Sequence, residues 1–152
     1  MPTTFLTRAV RFAAAHRYHR PEWSEAKNRE TFGACSNEHG HGHNYVLEVM
    51  VAGVPDSLTG FSVDLAALDV VLREEVIEPL DHRHLNHAVP DFAPGAQIPT
   101  TENLLLYLWA RLEPRIHGAR LVRLRLREDV DLFVDYYGPG EPPAAAMPPR
   151  MA

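Results

Sequence analysis

A single cysteine, Cys35, and a single lysine, Lys27, stand among the 152 residues. One thiol cannot close an internal disulfide, which fits a reducing compartment. With lysine nearly absent, arginine carries the positive charge. Its planar fork suits phosphate or carboxylate groups, although a solvated face accounts for most arginines equally well. Positive charge is itself scarce: 15 basic against 20 acidic residues leave a formal charge of −5, against a general nucleic-acid surface. Long apolar runs are also missing. Arg8 and Arg11 interrupt the N-terminal segment, and nothing approaches the roughly 18 apolar residues of a membrane span. A soluble, cytoplasmic protein without membrane or nucleic-acid partners is the expectation.

What is present suffices for a core. With 45% hydrophobic residues, the chain reads as one domain over residues 1–138, followed by a proline-rich tail, 139–152, expected to be disordered. Residues 4–18 alternate as a strand, with Val10, Phe12, Ala14 and His16 in phase. Residues 19–36 form a polar loop with a short helical turn around Glu25 and Arg29. A second strand runs from His41 to Ala52. Asp64 caps a helix that buries Leu65, Leu68, Leu72 and Val76 and ends at Pro79. A connection over 79–99, with four prolines and the cluster "LDHRHLNH", is too long to be idle in a compact domain. A second helix begins near Thr101 and turns Leu105, Leu108, Leu112 and Ile116 inward. Two further strands, "ARLVRLRLRE" and "DLFVDYYG", complete the order β-β-α-α-β-β. The fold class is α+β: a four-stranded antiparallel sheet with two helices on one face. Its unpaired edges invite association between subunits.

Strand periodicity projects His41 and His43 from one face, and an adjacent antiparallel strand can bring His16 beside them. Three imidazoles with an open fourth position are the usual arrangement of a catalytic zinc. An H-x-H pair is also common as plain surface histidine. His84, His87 and His117 are expected in solvent. Cys35 lies in the polar stretch "CSNEHGHGH", where burial for packing has little to recommend it.

In "VRLRLRE", Val122, Leu124 and Leu126 share a face with Glu128. A carboxylate on a buried face needs donors: either an arginine salt bridge or a ligand with parallel N–H groups. Glu102, opening the second helix, suits a helix N-terminus. Phase alone favours the structural role for both acids.

The motifs "FAAAH", "FGACSNEHGHGHNY", "LDHRHLN", "PTTENLLLYLW" and "RLREDVDLFVDYYG" resemble, in order and spacing, the 6-pyruvoyltetrahydropterin synthases and their 6-carboxytetrahydropterin-forming relatives, over about residues 5–138. The resemblance implies a tunnelling fold, in which subunits form a trimeric barrel and two trimers stack as a hexamer with active sites between subunits. It implies zinc on His16, His41 and His43, Cys35 as catalytic base, and Asp81 with His82 as proton relay. Glu128, Thr101 and Glu102 become pterin contacts. The implied reaction is conversion of 7,8-dihydroneopterin triphosphate to 6-pyruvoyl-tetrahydropterin with loss of triphosphate. The alternatives are the carboxy-forming synthase of deazapurine biosynthesis and a pterin- or zinc-binding module without turnover. The interval from Cys35 to His41 resembles the pyruvoyl-forming branch; the turn after Glu128 lacks that branch's usual asparagine and threonine.

Overall fold

A computed structural model describes residues 2–140 and 142–144. Most of the expected tail therefore lies outside the described residues. The α+β expectation is met, with one strand more than foreseen. The sheet has five strands in the order β3-β1-β2-β4-β5. Strands β1 (Thr4–His16) and β2 (His41–Gly53) pair antiparallel along their whole length, from Thr4 opposite Gly53 to His16 opposite His41. Strands β4 (Arg120–Asp129) and β5 (Leu132–Tyr136) continue the antiparallel sheet. The addition is β3 (Arg83–His84), two residues paired parallel to β1 at Ala14 and Ala15. It makes the sheet mixed. Two residues are too short for any periodic signal.

Helix α1 (Glu25–Phe32) occupies the first polar loop, with Ser24 Oγ accepting from the Lys27 N–H. Helix α2 (Leu65–Leu72) starts on Asp64, whose carboxylate accepts from the Ala67 N–H at 3.0 Å as the capping rule requires. It continues through a π-turn, Arg73–Ile77, into α3 (Glu78–Leu80). Pro79 does not end this helix. The wider π-turn before it already departs from regular bonding, and the chain leaves only after Leu80. Helix α4 (Leu85–Ala88) and a 3₁₀ turn at Pro90–Phe92 give structure to the connection expected to be irregular. Helix α5 (Thr101–Leu112) starts on Thr100, which accepts from the Asn103 N–H.

The core lies between the helices and one face of the sheet. Leu68, Val71, Leu72 and Val76 from the α2 region and Leu104, Leu105, Leu108 and Leu112 from α5 pack onto Tyr45, Leu47, Val49, Leu124 and Leu126. Leu65, expected in that stripe, is exposed, and Val71 takes its place because the helix begins one turn outside the sheet contact. The phase of β4 also differs from the alternation. A bulge opposite Met50 and Val51 makes Val122 the extra residue, so Leu121 is buried instead. A second bulge, opposite Phe133 and Leu132, falls at Glu128. No helix among the described residues is long and apolar enough to cross a membrane.

Candidate active site

The register decides the site. His16 and His41 are direct partners across the β1–β2 ladder, and His43 stands opposite Ala14, a side chain small enough to leave room. All three project toward the core face at its open end. His16 Nε2 and His41 Nε2 are 3.0 Å apart, and one potential ligand nitrogen from each of the three rings lies within 4.8 Å of the others. Tyr45 Oη sits 2.9 Å from His16 Nδ1 in a buried contact. When Nδ1 donates to that oxygen, the proton is held there and Nε2 keeps its lone pair for the niche.

The turn before His41 depends on Gly40, at φ +71; a Cβ there would lie 2.2 Å from the His16 carbonyl oxygen. Only glycine tolerates both the left-handed conformation and the approach.

Cys35 reaches the same niche from a 3₁₀ turn, Gly33–Ser36, with Sγ 3.2 Å from His41 Nε2. The turn is tied to the end of β1: the Tyr18 N–H donates to the Cys35 carbonyl at 2.7 Å, and Arg17 Nε donates to the Ser36 carbonyl at 3.1 Å. Burial, with Glu128 nearby, pushes the Cys35 thiol up. The protein alone therefore keeps it a thiol.

Glu128 closes the niche on the far side. Its Oε1 lies 3.2 Å from His43 Nε2, and Thr101 Oγ1 donates to Oε2. No arginine pairs with Glu128 among the described residues, so the salt-bridge alternative is not realised. Its position on a bulge aims the carboxylate at the niche, as bulges beside sites commonly do. Glu102 is exposed in the first turn of α5.

The donor set suits a divalent transition ion. Tetrahedral bonds of about 2.0–2.1 Å place ligand nitrogens about 3.3 Å apart, near the separation of His16 and His41. His43 Nε2 is buried with no aligned hydrogen-bond partner, because the approach to Glu128 is close in distance only. A cation would satisfy that nitrogen.

His16 is fully buried, and burial, with His43 and His41 beside it, pushes its imidazole down to about 3. An unfolded histidine titrates near pH 6.5. Below that value the unfolded chain takes up a proton that the folded chain refuses. Metal-free protein should thus hold its full stability above about pH 6.5 and lose about 1.4 kcal/mol per pH unit for this proton as pH falls toward about 3. Urea midpoints from pH 7.5 to 5 on chelator-treated protein check the slope, which His16→Asn should make shallower.

Asp81 and His82 are elsewhere. Asp81 Oδ1 accepts from the Ala13 N–H at 2.8 Å, and the His82 N–H donates to the Ala13 carbonyl at 2.6 Å, on the edge of β1 that β3 extends. His82 has φ +57, the one positive value on a residue other than glycine among those described. The turn brings His82 Nδ1 to 3.0 Å from Asp81 Oδ2, and the ring is 83% exposed. These hydrogen bonds to Ala13 and His82 hold the Asp81 carboxyl below its usual range. The pair faces a shallow depression with Ala15, Gly42 and Asn44, which alternate away from the core. One protomer does not bring it to Cys35.

Two features escaped the sequence reading. Tyr18, two residues beyond His16 in the same phase, packs on the His16 ring at 4.5 Å, and burial beside Glu128 and Cys35 keeps its phenol protonated. His84 is half-buried and stacked on His87 at 4.3 Å, rather than free in solvent.

The solved structures that this five-stranded α+β sheet resembles are T-fold proteins of pterin-synthase type. A family profile described as 6-pyruvoyl tetrahydropterin synthase matches residues 5–139. The chain is similar to the 6-pyruvoyl tetrahydrobiopterin synthase of Drosophila melanogaster, 37% identical over 91% of this chain and 82% of that protein. It is 36% identical to the human 6-pyruvoyl tetrahydrobiopterin synthase over 88% of this chain and 90% of that one. The solved 6-pyruvoyl tetrahydropterin synthase of Caenorhabditis elegans superposes with a TM-score of 0.83 at 34% identity, covering 91% of this chain and 97% of that structure. The chain belongs to the 6-pyruvoyl tetrahydropterin synthase family.

Proposed function

We propose that the protein is a zinc-dependent carbon–oxygen lyase that converts 7,8-dihydroneopterin triphosphate to 6-pyruvoyl-tetrahydropterin and releases inorganic triphosphate. Family membership supports the reading. The observation that carries it is the meeting of three imidazole nitrogens with a thiol 3.2 Å from one of them.

His16, His41 and His43 would hold the zinc ion, which when bound supplies Lewis-acid polarisation of substrate oxygens. Cys35, as thiolate, accepts a proton from the substrate side chain; positive charge in the niche offsets the burial that otherwise keeps it protonated. Thr101 occupies one oxygen of Glu128 and holds the carboxylate toward the niche, where it can accept the parallel N–H groups of a pterin edge. Asp81 orients His82 through Nδ1, leaving Nε2 free to exchange a proton with the substrate.

Because that pair lies away from its own Cys35, the reading includes a homo-oligomer, a hexamer of two stacked trimers, in which a neighbouring subunit contributes the pair. Mixing inactive Cys35→Ala and His82→Ala proteins tests this. Co-refolded mixtures regain activity when sites are shared and stay inactive when they are not.

For the reaction, zinc-loaded protein is incubated with 7,8-dihydroneopterin triphosphate and the products are weighed. The pyruvoyl product with stoichiometric triphosphate is expected. Acetaldehyde with a lighter product assigns the carboxy-forming reaction instead, and absence of triphosphate release rejects both. Glu128→Gln should weaken neopterin binding about 10- to 100-fold in a fluorescence titration, through loss of a charge-assisted pair; unchanged affinity returns Glu128 to a structural role with Thr101.

A further inference from the structure

Beside the niche, a cleft of about 350 Å³ gathers Arg17, His19, Glu38, His39, His84 and His87. Two of its three segments are those of the metal site, since Arg17 follows His16 and His39 precedes Gly40 and His41, and the third carries His84, Asn86 and His87. Its one fixed cation is held firmly. Asn86 Oδ1 accepts from the Arg17 N–H at 2.7 Å, and Asn86 Nδ2 donates to the Arg17 carbonyl at 3.0 Å. Arg17 Nε is committed to the Ser36 carbonyl, next to Cys35, while both Nη groups lack a hydrogen bond among the described residues. No carboxylate neutralises Arg17 there, in a chain whose formal charge is −5. His84, stacked on His87 with their planes at 15°, keeps a buried Nδ1 without a partner.

Two kinds of ligand suit imidazoles, a metal ion and an anion, and the spacing separates them. Among the described residues only His16, His41 and His43 bring three ligand atoms within 4.8 Å. The cleft's donors are spread too widely for a single ion. N–H donors dispersed around one guanidinium match a ligand that presents several oxygens at intervals, a polyphosphate chain.

We infer that this cleft is the subsite for the triphosphate of the substrate and for inorganic triphosphate before its release; the inference rests on the reaction proposed above. Arg17 supplies the charge-assisted contacts, and the exposed His39 and His87 rings, whose nitrogens have no hydrogen-bond partner among the described residues, add N–H donors. Glu38, exposed at the rim and unpaired among the described residues, repels the chain's outer end and limits retention of the product.

The test compares two oxidised pterins, neopterin triphosphate and neopterin, binding to zinc-loaded full-length protein, with zinc content measured after each titration. In the wild type the triphosphate should tighten binding about 10- to 100-fold, as expected for a few charge-assisted contacts. Arg17→Gln should remove most of that gain without changing neopterin affinity, and Arg17→Lys should restore part of it. His87→Gln, at an exposed position, should weaken the gain without risk to the fold. Glu38→Gln should enlarge it about two- to five-fold, opposite in sign to any loss of structure. A gain preserved in both Arg17→Gln and His87→Gln overturns the subsite and leaves the lyase reading standing. So does a second bound zinc per chain that these variants release. Failure of wild-type protein to bind either pterin overturns both.

Discussion

Cys35→Ala should lower turnover about 10²- to 10⁴-fold, the usual range for loss of a proton-transferring side chain, while leaving the fold and metal binding in place. The thiol is half-buried, and its turn is held by backbone bonds and by Arg17 rather than by the sulfur. Removing Sγ therefore deletes one contact, to His41 Nε2, and little packing. A thermal midpoint within a few degrees of wild type, unchanged zinc stoichiometry and lost turnover together assign the sulfur to the chemistry. Turnover unaffected by the substitution would reject Cys35 as the base. A companion measurement follows the thiol itself. Burial and Glu128 raise its pKa in the metal-free protein, so the pH midpoint of alkylation should lie above the ordinary thiol range and move down when zinc is added.

Zinc should also stabilise the fold strongly. A ligand that binds only the native state at 1,000 times its Kd contributes about 4 kcal/mol. For a chain of this size each kcal/mol shifts the melting midpoint by roughly 2–4 °C. Chelator-treated protein should thus melt roughly 10 °C below zinc-saturated protein and lose turnover, both returning when zinc is added. His41→Ala should abolish the zinc-dependent shift. A midpoint indifferent to zinc would remove the metal from the niche. The direction follows from the structure: without a cation, three nitrogens crowd one another and His43 Nε2 stays buried without a partner. The fall in stability predicted below pH 6.5 has the same origin, since the crowded, buried His16 ring resists protonation when folded.

The local features of the chain were legible from order and spacing. Alternation placed His41 and His43 on one face, and the same rule, carried along β1, put His16 in phase with buried Phe12 and Ala14. Asp64 marked a helix start because capping is a local hydrogen-bond requirement, and the second helix, expected near Thr101, begins there on its Thr100 cap. These properties involve neighbours in sequence, so composition and period suffice to find them.

Other features depended on contacts between distant segments. The register that sets His16 opposite His41 joins residues 25 apart, and the bulges at Val122 and Glu128 come from how β4 fits its neighbours, which alternation alone cannot anticipate. The left-handed turn at His82, the parallel pairing of β3, and the clamp of Asn86 on Arg17 arise only when the connection folds back against β1. The residue types and their faces are thus written along the chain. Which atoms meet, and whether Glu128 faces an arginine or a histidine niche, is decided by non-local pairing, where one extra residue in a strand redirects a side chain.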